Sequence, residues 1–187
     1  MLYVSTELDA INLILASIGE APVNTLNSES IDADNAKALL MATSRNTQRQ
    51  GWQFNTVLGS VLLPDNISKR ILYNPTWIKL IPTDGFTYVK RGEYLFNLSE
   101  NTYEFDKEIT VNIVEAVDFD DLPDEFKTYI TAQTAIIFQS RYLGDDSISE
   151  ELRAEMAQAY SDIVQYSIDT GTNMYQMTWM QSALERR

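Results

Sequence analysis

The sequence predicts an α+β fold: a helical bundle of four main helices with an inserted antiparallel β-rich domain and a C-terminal extension. Three observations predict it. Apolar residues recur at helical spacing near both ends of the chain, β-branched and aromatic runs fill the middle, and a Met- and aromatic-rich segment follows the last predicted helix. In numbers, residues 1–51 and 119–171 make the two parts of the bundle, 52–118 the inserted β domain, and 172–187 a C-terminal docking tail.

The first helix lies between Thr6 and Gly19, where Leu8, Ile11, Ile14, Leu15 and Ile18 share a face and Gly19 with Pro22 closes the segment. A second begins near Asp32, whose carboxylate is expected to cap it, and runs through Ala36, Leu39, Leu40 and Thr43 to Gly51; its half from Ser44 to Gln50 is strongly polar. From Trp52 to about Val117 the pattern turns to strands: Val57-Leu58, Phe86-Thr87-Tyr88-Val89 and Ile109 to Val114, with Pro64, Pro75 and Pro82 in this segment, outside the predicted helices. Arg91-Gly92 is expected to be the turn of a hairpin. Helix returns at Pro123, followed by acidic Asp124 and Glu125, with Phe126, Tyr129, Ile130, Ile136, Ile137 and Leu143 as its stripe and Gly144 as its end. The fourth helix starts from a capping box, Ser147 with Glu150, and carries Leu152, Met156, Ala159, Tyr160, Ile163 and Tyr166 before Gly171.

Composition removes much chemistry. The 187 residues include no cysteine and no histidine, so disulfides, thiolate ligands, Ser-His-Asp triads and histidine metal sites are excluded. Catalysis would have to run on carboxylates, Lys, Tyr or Ser-Lys pairs. With 27 acidic against 14 basic residues the net charge is −13, and the surrounding field repels nucleic acid. The N-terminus lacks a basic, apolar leader pattern, and no stretch approaches the ~20 apolar residues of a spanning helix, so neither a signal peptide nor a membrane partner is expected.

Candidate motifs yield no catalytic, cofactor or metal residue. Asp118 to Glu125 is the densest carboxylate cluster and could hold Mg²⁺, but its place before a helix favours a capping role. Asp32-Ala33-Asp34-Asn35 departs from a calcium loop, because Ala36 replaces an oxygen ligand and the required glycine is missing. The sequons at Asn66 and Asn97 carry little weight without a secretion signal, and Lys37, Arg45 and Arg49 line part of one helix that could meet an acidic partner but reads first as a solvated face. No P-loop, dinucleotide fingerprint or nucleophile elbow occurs. In the tail, Met174, Tyr175, Met177, Trp179, Met180 and Leu184 suit a docking surface on a partner; alternatively Met177, Met180 and Leu184 form the buried face of a last core helix.

Several stretches, in order along nearly the whole chain, resemble the tail tubular protein A family of T7-like short-tailed phages. They are Ile11 to Leu26, containing Ile18-Gly19-Glu20-Ala21-Pro22; Asp32-Ala33-Asp34-Asn35-Ala36; Gly51-Trp52-Gln53-Phe54-Asn55; Leu62-Leu63-Pro64-Asp65; Tyr88 to Tyr94; Ile109-Thr110-Val111-Asn112-Ile113; and Arg141-Tyr142-Leu143-Gly144. Residues 66–81 and those after Gly171 match least.

The resemblance implies a structural virion protein, not an enzyme, made in the host cytoplasm and placed in the virion tail. It implies a head-to-tail adaptor that forms a dodecameric ring between the portal protein and the tail nozzle protein, with tail fibres attached nearby and genomic DNA passing through as cargo. It also favours portal docking for Met174 to Leu184, with Trp179 as the anchor. The rival function is a tail-associated cell-wall or glycan hydrolase using carboxylates, for which Glu104 and Glu115 are the residues to inspect.

Overall fold

A computed structural model describes residues 4–27 and 29–170. It contains four α-helices, α1 (Glu7–Ala16), α2 (Ile31–Gln48), α3 (Asp124–Tyr142) and α4 (Asp146–Asp169), and five strands, β1 (Thr56–Leu62), β2 (Trp77–Pro82), β3 (Tyr88–Arg91), β4 (Tyr94–Asn97) and β5 (Ile109–Glu115). The α+β class is as predicted. The chain gathers into two compact units, one of residues up to Gln53 with those from Val117 on, the other Phe54–Ala116.

In the helical unit α3 is the hub, packing against α1, α2 and α4, while α1 and α2 also touch each other. The core follows from side-chain spacing: Ile11, Ile14 and Leu15 of α1, Leu40 of α2, Phe126, Ile130 and Phe138 of α3 and Ile163 of α4 are fully buried. Burying each such side chain contributes roughly 1.5–3 kcal/mol. Trp52 meets Phe126 edge-to-face with centroids 4.8 Å apart, and Phe126 meets Tyr166 likewise at 5.7 Å.

The helix ends correct several expectations. Thr6 and Asp9 form a reciprocal capping box on α1. Its end is closed by Gly19 at φ 80, with Gly19 N–H donating to Ala16 O at 3.0 Å and Glu20 N–H to Leu15 O at 3.1 Å. Ser30, not Asp32, caps α2 through the Ala33 N–H; Asp32 is the second residue of the first turn, where it complements the helix dipole. Asp145, not a Ser147–Glu150 box, caps α4, because its carboxylate reaches both the Ser147 and Ile148 N–H groups. The Ser147 hydroxyl, which donates to the same carboxylate at 2.7 Å, and then those N–H bonds hold the Asp145 carboxyl below the usual aspartate range. Leu143 is exposed, since α3 stops at Tyr142 and the chain turns away from the core through Gly144.

The polar half of α2 has one buried face, with Arg45, Asn46 and, just past its end, Arg49 and Gln50 exposed on the other. Thr43, Ser44, Thr47 and Gln48 all face inward. The Gln48 side-chain amide donates to Val117 O at 2.9 Å and to Ser44 Oγ at 3.0 Å, while its Oε1 accepts the Val117 N–H at 2.7 Å. Both main-chain groups of Val117 are thereby satisfied where the chain re-enters the helices. Gln139 does the same at the α3–α4 turn: Nε2 donates to Asp145 O and Oε1 accepts from Ser149 Oγ, both at 2.8 Å.

The strand unit holds a three-stranded antiparallel sheet in the order β1-β5-β2 and the β3–β4 hairpin. The hairpin loop is Gly92-Glu93, not Arg91-Gly92: Arg91 is still paired with Tyr94, and Gly92 takes φ 63 at the first loop position. Strand β2 was not among the expected runs; as the edge strand's last residue, Pro82 removes no inner ladder bond. A bulge between Val57 and Ser60 bends β1, with Gly59 at φ 64 and its N–H donating to Asn112 Oδ1 at 2.8 Å. Leu62, Ile71, Tyr88, Leu95, Phe105, Ile109, Val111 and Ile113 make the core of this unit.

Candidate interaction surfaces

Three surfaces stand out among the described residues. The first is strand β1, an outer strand of its sheet. Val57, Leu58 and Val61 are exposed along it and Leu63 follows at 70% exposure. Such an edge presents unpaired backbone groups beside apolar side chains, and the bulge is the feature that blunts it.

The second is on α4, where Tyr160, Val164 and Ile168 recur every fourth residue and are 50%, 39% and 63% exposed. Tyr160 lies beside Tyr129 of α3, with ring centroids 5.7 Å apart, and burial raises the Tyr129 hydroxyl pKa, with Tyr160 adding to it. Tyr160 and Ile163 both belong to the apolar positions expected of this helix. Packing against α3 buries Ala159 and Ile163 but leaves the neighbouring stripe bare. The opposite flank of α4 carries a shallow groove of about 420 Å³, floored by Ala132, Ala154 and Ala159 and rimmed by Glu155 and Asp162.

The third is an acidic cleft in the strand unit, of about 390 Å³, bordered by Asp84, Glu100, Glu104, Asp106 and Glu108. All five carboxylates are exposed. The Tyr88 hydroxyl donates to Asp84 Oδ2 there; burial first, and then Asp84, pushes the phenol pKa well up. Glu104 lines this cleft but Glu115 does not. Ile109 borders the cleft and Glu115 is the far residue of the same seven-residue strand, about 20 Å along it at ~3.4 Å per residue. Paired glycosidase carboxylates stand about 5–9.5 Å apart. The structure therefore does not bring these two glutamates together.

The carboxylate cluster at Asp118 to Glu125 does complement the start of α3, with Asp124 and Glu125 in its first turn, but its cap hydrogen bond goes to a different helix. The residue before α3 is Pro123, which offers no side-chain cap. Instead Asp120 Oδ1 accepts the Glu7 N–H at 2.6 Å, so the cluster caps the start of α1, 113 residues away in sequence. Asp124 complements the α3 dipole and pairs with the largely buried Lys127 at 3.4 Å, whose Nζ also donates to Ser5 O. Lys37 pairs with Glu7 at 3.3 Å, while Arg45 and Arg49 are exposed. Asn97 is buried, its side chain bonded to Glu100, and is not an accessible glycosylation acceptor. No group of acidic residues suited to a metal ion occurs among the described residues, and none of their helices is long and apolar enough to cross a membrane. Met174, Tyr175, Met177, Trp179, Met180 and Leu184 lie outside the described residues.

The family model for tail tubular proteins matches residues 8–173. The chain belongs to the tail tubular protein family. A curated relative, "Tail tubular protein A" of Klebsiella phage KP34, is 29% identical over 158 residues, covering 84% of this chain and 84% of the relative. As a tail tubular protein it is a structural component of the virion tail. The match includes both units, so the exposed edge of β1 and the bare stripe of α4 belong to a subunit built for assembly.

Proposed function

We propose that this tail tubular protein is the head-to-tail adaptor: a ring of twelve copies that joins the portal to the tail nozzle, holds tail fibres near that junction and lets genomic DNA pass. The observation that carries the proposal is the family match from residue 8 to residue 173, together with the ordered landmarks from Ile11 to Gly144. Two physical features support it. The apolar edge of β1 and the stripe on α4 are surfaces that a permanent assembly covers. The net charge of −13 suits a conduit, because a lumen that repels phosphates does not hold DNA through counterion-releasing contacts.

Within this proposal the helices form the ring, the strand unit faces nozzle or fibres, and the tail reaches the portal through Met174, Tyr175, Met177, Trp179, Met180 and Leu184, with Trp179 as anchor. No catalytic step is assigned to the chain. Electron microscopy of the purified chain with a cognate portal tests the core of the proposal: portal-dependent twelve-fold rings are expected, and persistent monomers would overturn it. A pull-down tests the finer assignment, since removing residues 172–187 should abolish portal capture while the helical unit stays folded. Clearing of peptidoglycan by the purified protein, lost on Glu104→Gln, would replace the structural role with the hydrolytic one.

A further inference from the structure

The stripe of Tyr160, Val164 and Ile168 runs along the last turns of α4 and ends two residues before the described chain does, at Thr170. Seventeen residues follow. On a helical wheel of 3.6 residues per turn they divide into two faces: Met177, Met180 and Leu184 fall together at i, i+3 and i+7, while Tyr175 and Trp179, at i and i+4, fall opposite. A segment this short is marginal as a helix in water by itself and needs a surface to lie on.

We propose that in the free subunit, before the portal engages the tail, residues 174–184 dock in cis on the bare stripe of α4, Met177, Met180 and Leu184 covering Tyr160, Val164 and Ile168, so that Tyr175 and Trp179 are left facing outward to meet a partner first. Length and direction fit. Gly171, Thr172 and Asn173 supply a link of the size that joins antiparallel helices, with glycine where a helix end calls for positive φ. The stripe from Tyr160 to Ile168 spans about 12 Å and Met177 to Leu184 about 10.5 Å, at ~1.5 Å per residue. Returning from the end of α4, Met177 comes level with the gap between Val164 and Ile168, and Leu184 with Tyr160. Methionine, unbranched and polarizable, adapts to an irregular strip of Tyr, Val and Ile. The two readings of the tail, core helix and docking surface, thus become its two faces.

Hydrogen exchange on the free subunit tests the cis contact without any portal. Amides of 174–184 should exchange at least ~10-fold faster in the Val164→Glu/Ile168→Glu double variant than in the unaltered chain, with α3 protection unchanged in both. Equal exchange in the two proteins, fast or slow, would overturn the proposal. So would protection that rises with protein concentration, because the occupant would then be the tail of a second copy. The outward face rests on the adaptor reading and has its own readout. Trp179→Ala should leave tail protection intact and weaken portal capture at least ~10-fold; loss of protection in that variant would place Trp179 on the wrong face.

Discussion

The helical and strand units solve the problem of buried polar groups in different ways. In the helices, glutamine side chains sealed in the core reach main-chain groups where the chain changes direction: Gln48 at Val117 and Gln139 at Asp145. In the strands the corresponding work falls to short side chains at irregularities, such as Asn112 at the bulge and Asn97 at the turn after β4. Cations there lie over aromatic faces, Arg91 over Phe96 at 3.9 Å and Lys90 over Tyr73 at 5.2 Å. The helical unit is thus locked from within, while the strand unit keeps an apolar outer edge. The difference teaches where each unit can tolerate change: the strand edge, but not the glutamine clamps.

The largest expected effect is Phe126→Ala. It removes a fully buried ring that contacts both Trp52 and Tyr166, and should cost about 3–5 kcal/mol. Thermal melting followed by circular dichroism measures the loss; hydrogen exchange should show α1 to α4 losing protection while β1, β5 and β2 keep theirs. Simultaneous loss in both units would break the contrast. Next comes Gln48→Ala, which strands the N–H and C=O of Val117 at about 1–3 kcal/mol for each unsatisfied group. A denaturant midpoint unchanged from that of the unaltered protein would show that water replaces the clamp.

In the strand unit Gly59→Ala should cost about 1–2 kcal/mol from the left-handed backbone alone, because an added Cβ meets nothing within 4 Å. A stabilised variant would mean that the bulge relaxes. Val61→Lys should change stability by less than about 0.5 kcal/mol, since the side chain is exposed, yet reduce assembly of the proposed ring with the portal. Rings formed as readily as before would remove β1 from the assembly surface.

The smallest effect is acidic. The side-chain hydrogen bonds from Thr6 and Ser5 lower the Asp9 pKa, as the bonds from Ser147 and Ile148 lower that of Asp145, below the ordinary 3.8. A lowered folded-state pKa gives stability that is present above pH 3.8 and lost as pH falls through the folded value. Asp9→Asn and Asp145→Asn should therefore flatten the decline of stability below about pH 4 relative to the unaltered protein. An unchanged slope would show that these caps do not titrate with folding.

Much of the architecture was legible because it is written in local periodicity. Ile11, Ile14 and Leu15 mark α1, Phe126 and Ile130 mark α3, and the run from Ile109 to Val114 marks β5, each by spacing within one element. Helix starts were less legible. Several polar residues near Ile31 and Asp146 are chemically able to cap, and geometry selects Ser30 and Asp145 among them. Strand β2 was not singled out; its closing Pro82 is harmless because that strand lies at an edge.

What the sequence alone determined is the class, α+β with four helices, the absence of cysteine and histidine chemistry, and the ordered family landmarks, since composition and short-range spacing need no partner. Only the tertiary structure decided that Asp120 caps α1, that Gln48 in the polar half of α2 is buried to hold Val117, that Glu104 and Glu115 stand apart, and that α4 leaves a bare apolar stripe. Those depend on which distant segments meet, and a hydrogen bond across 113 residues leaves no periodic trace in the chain.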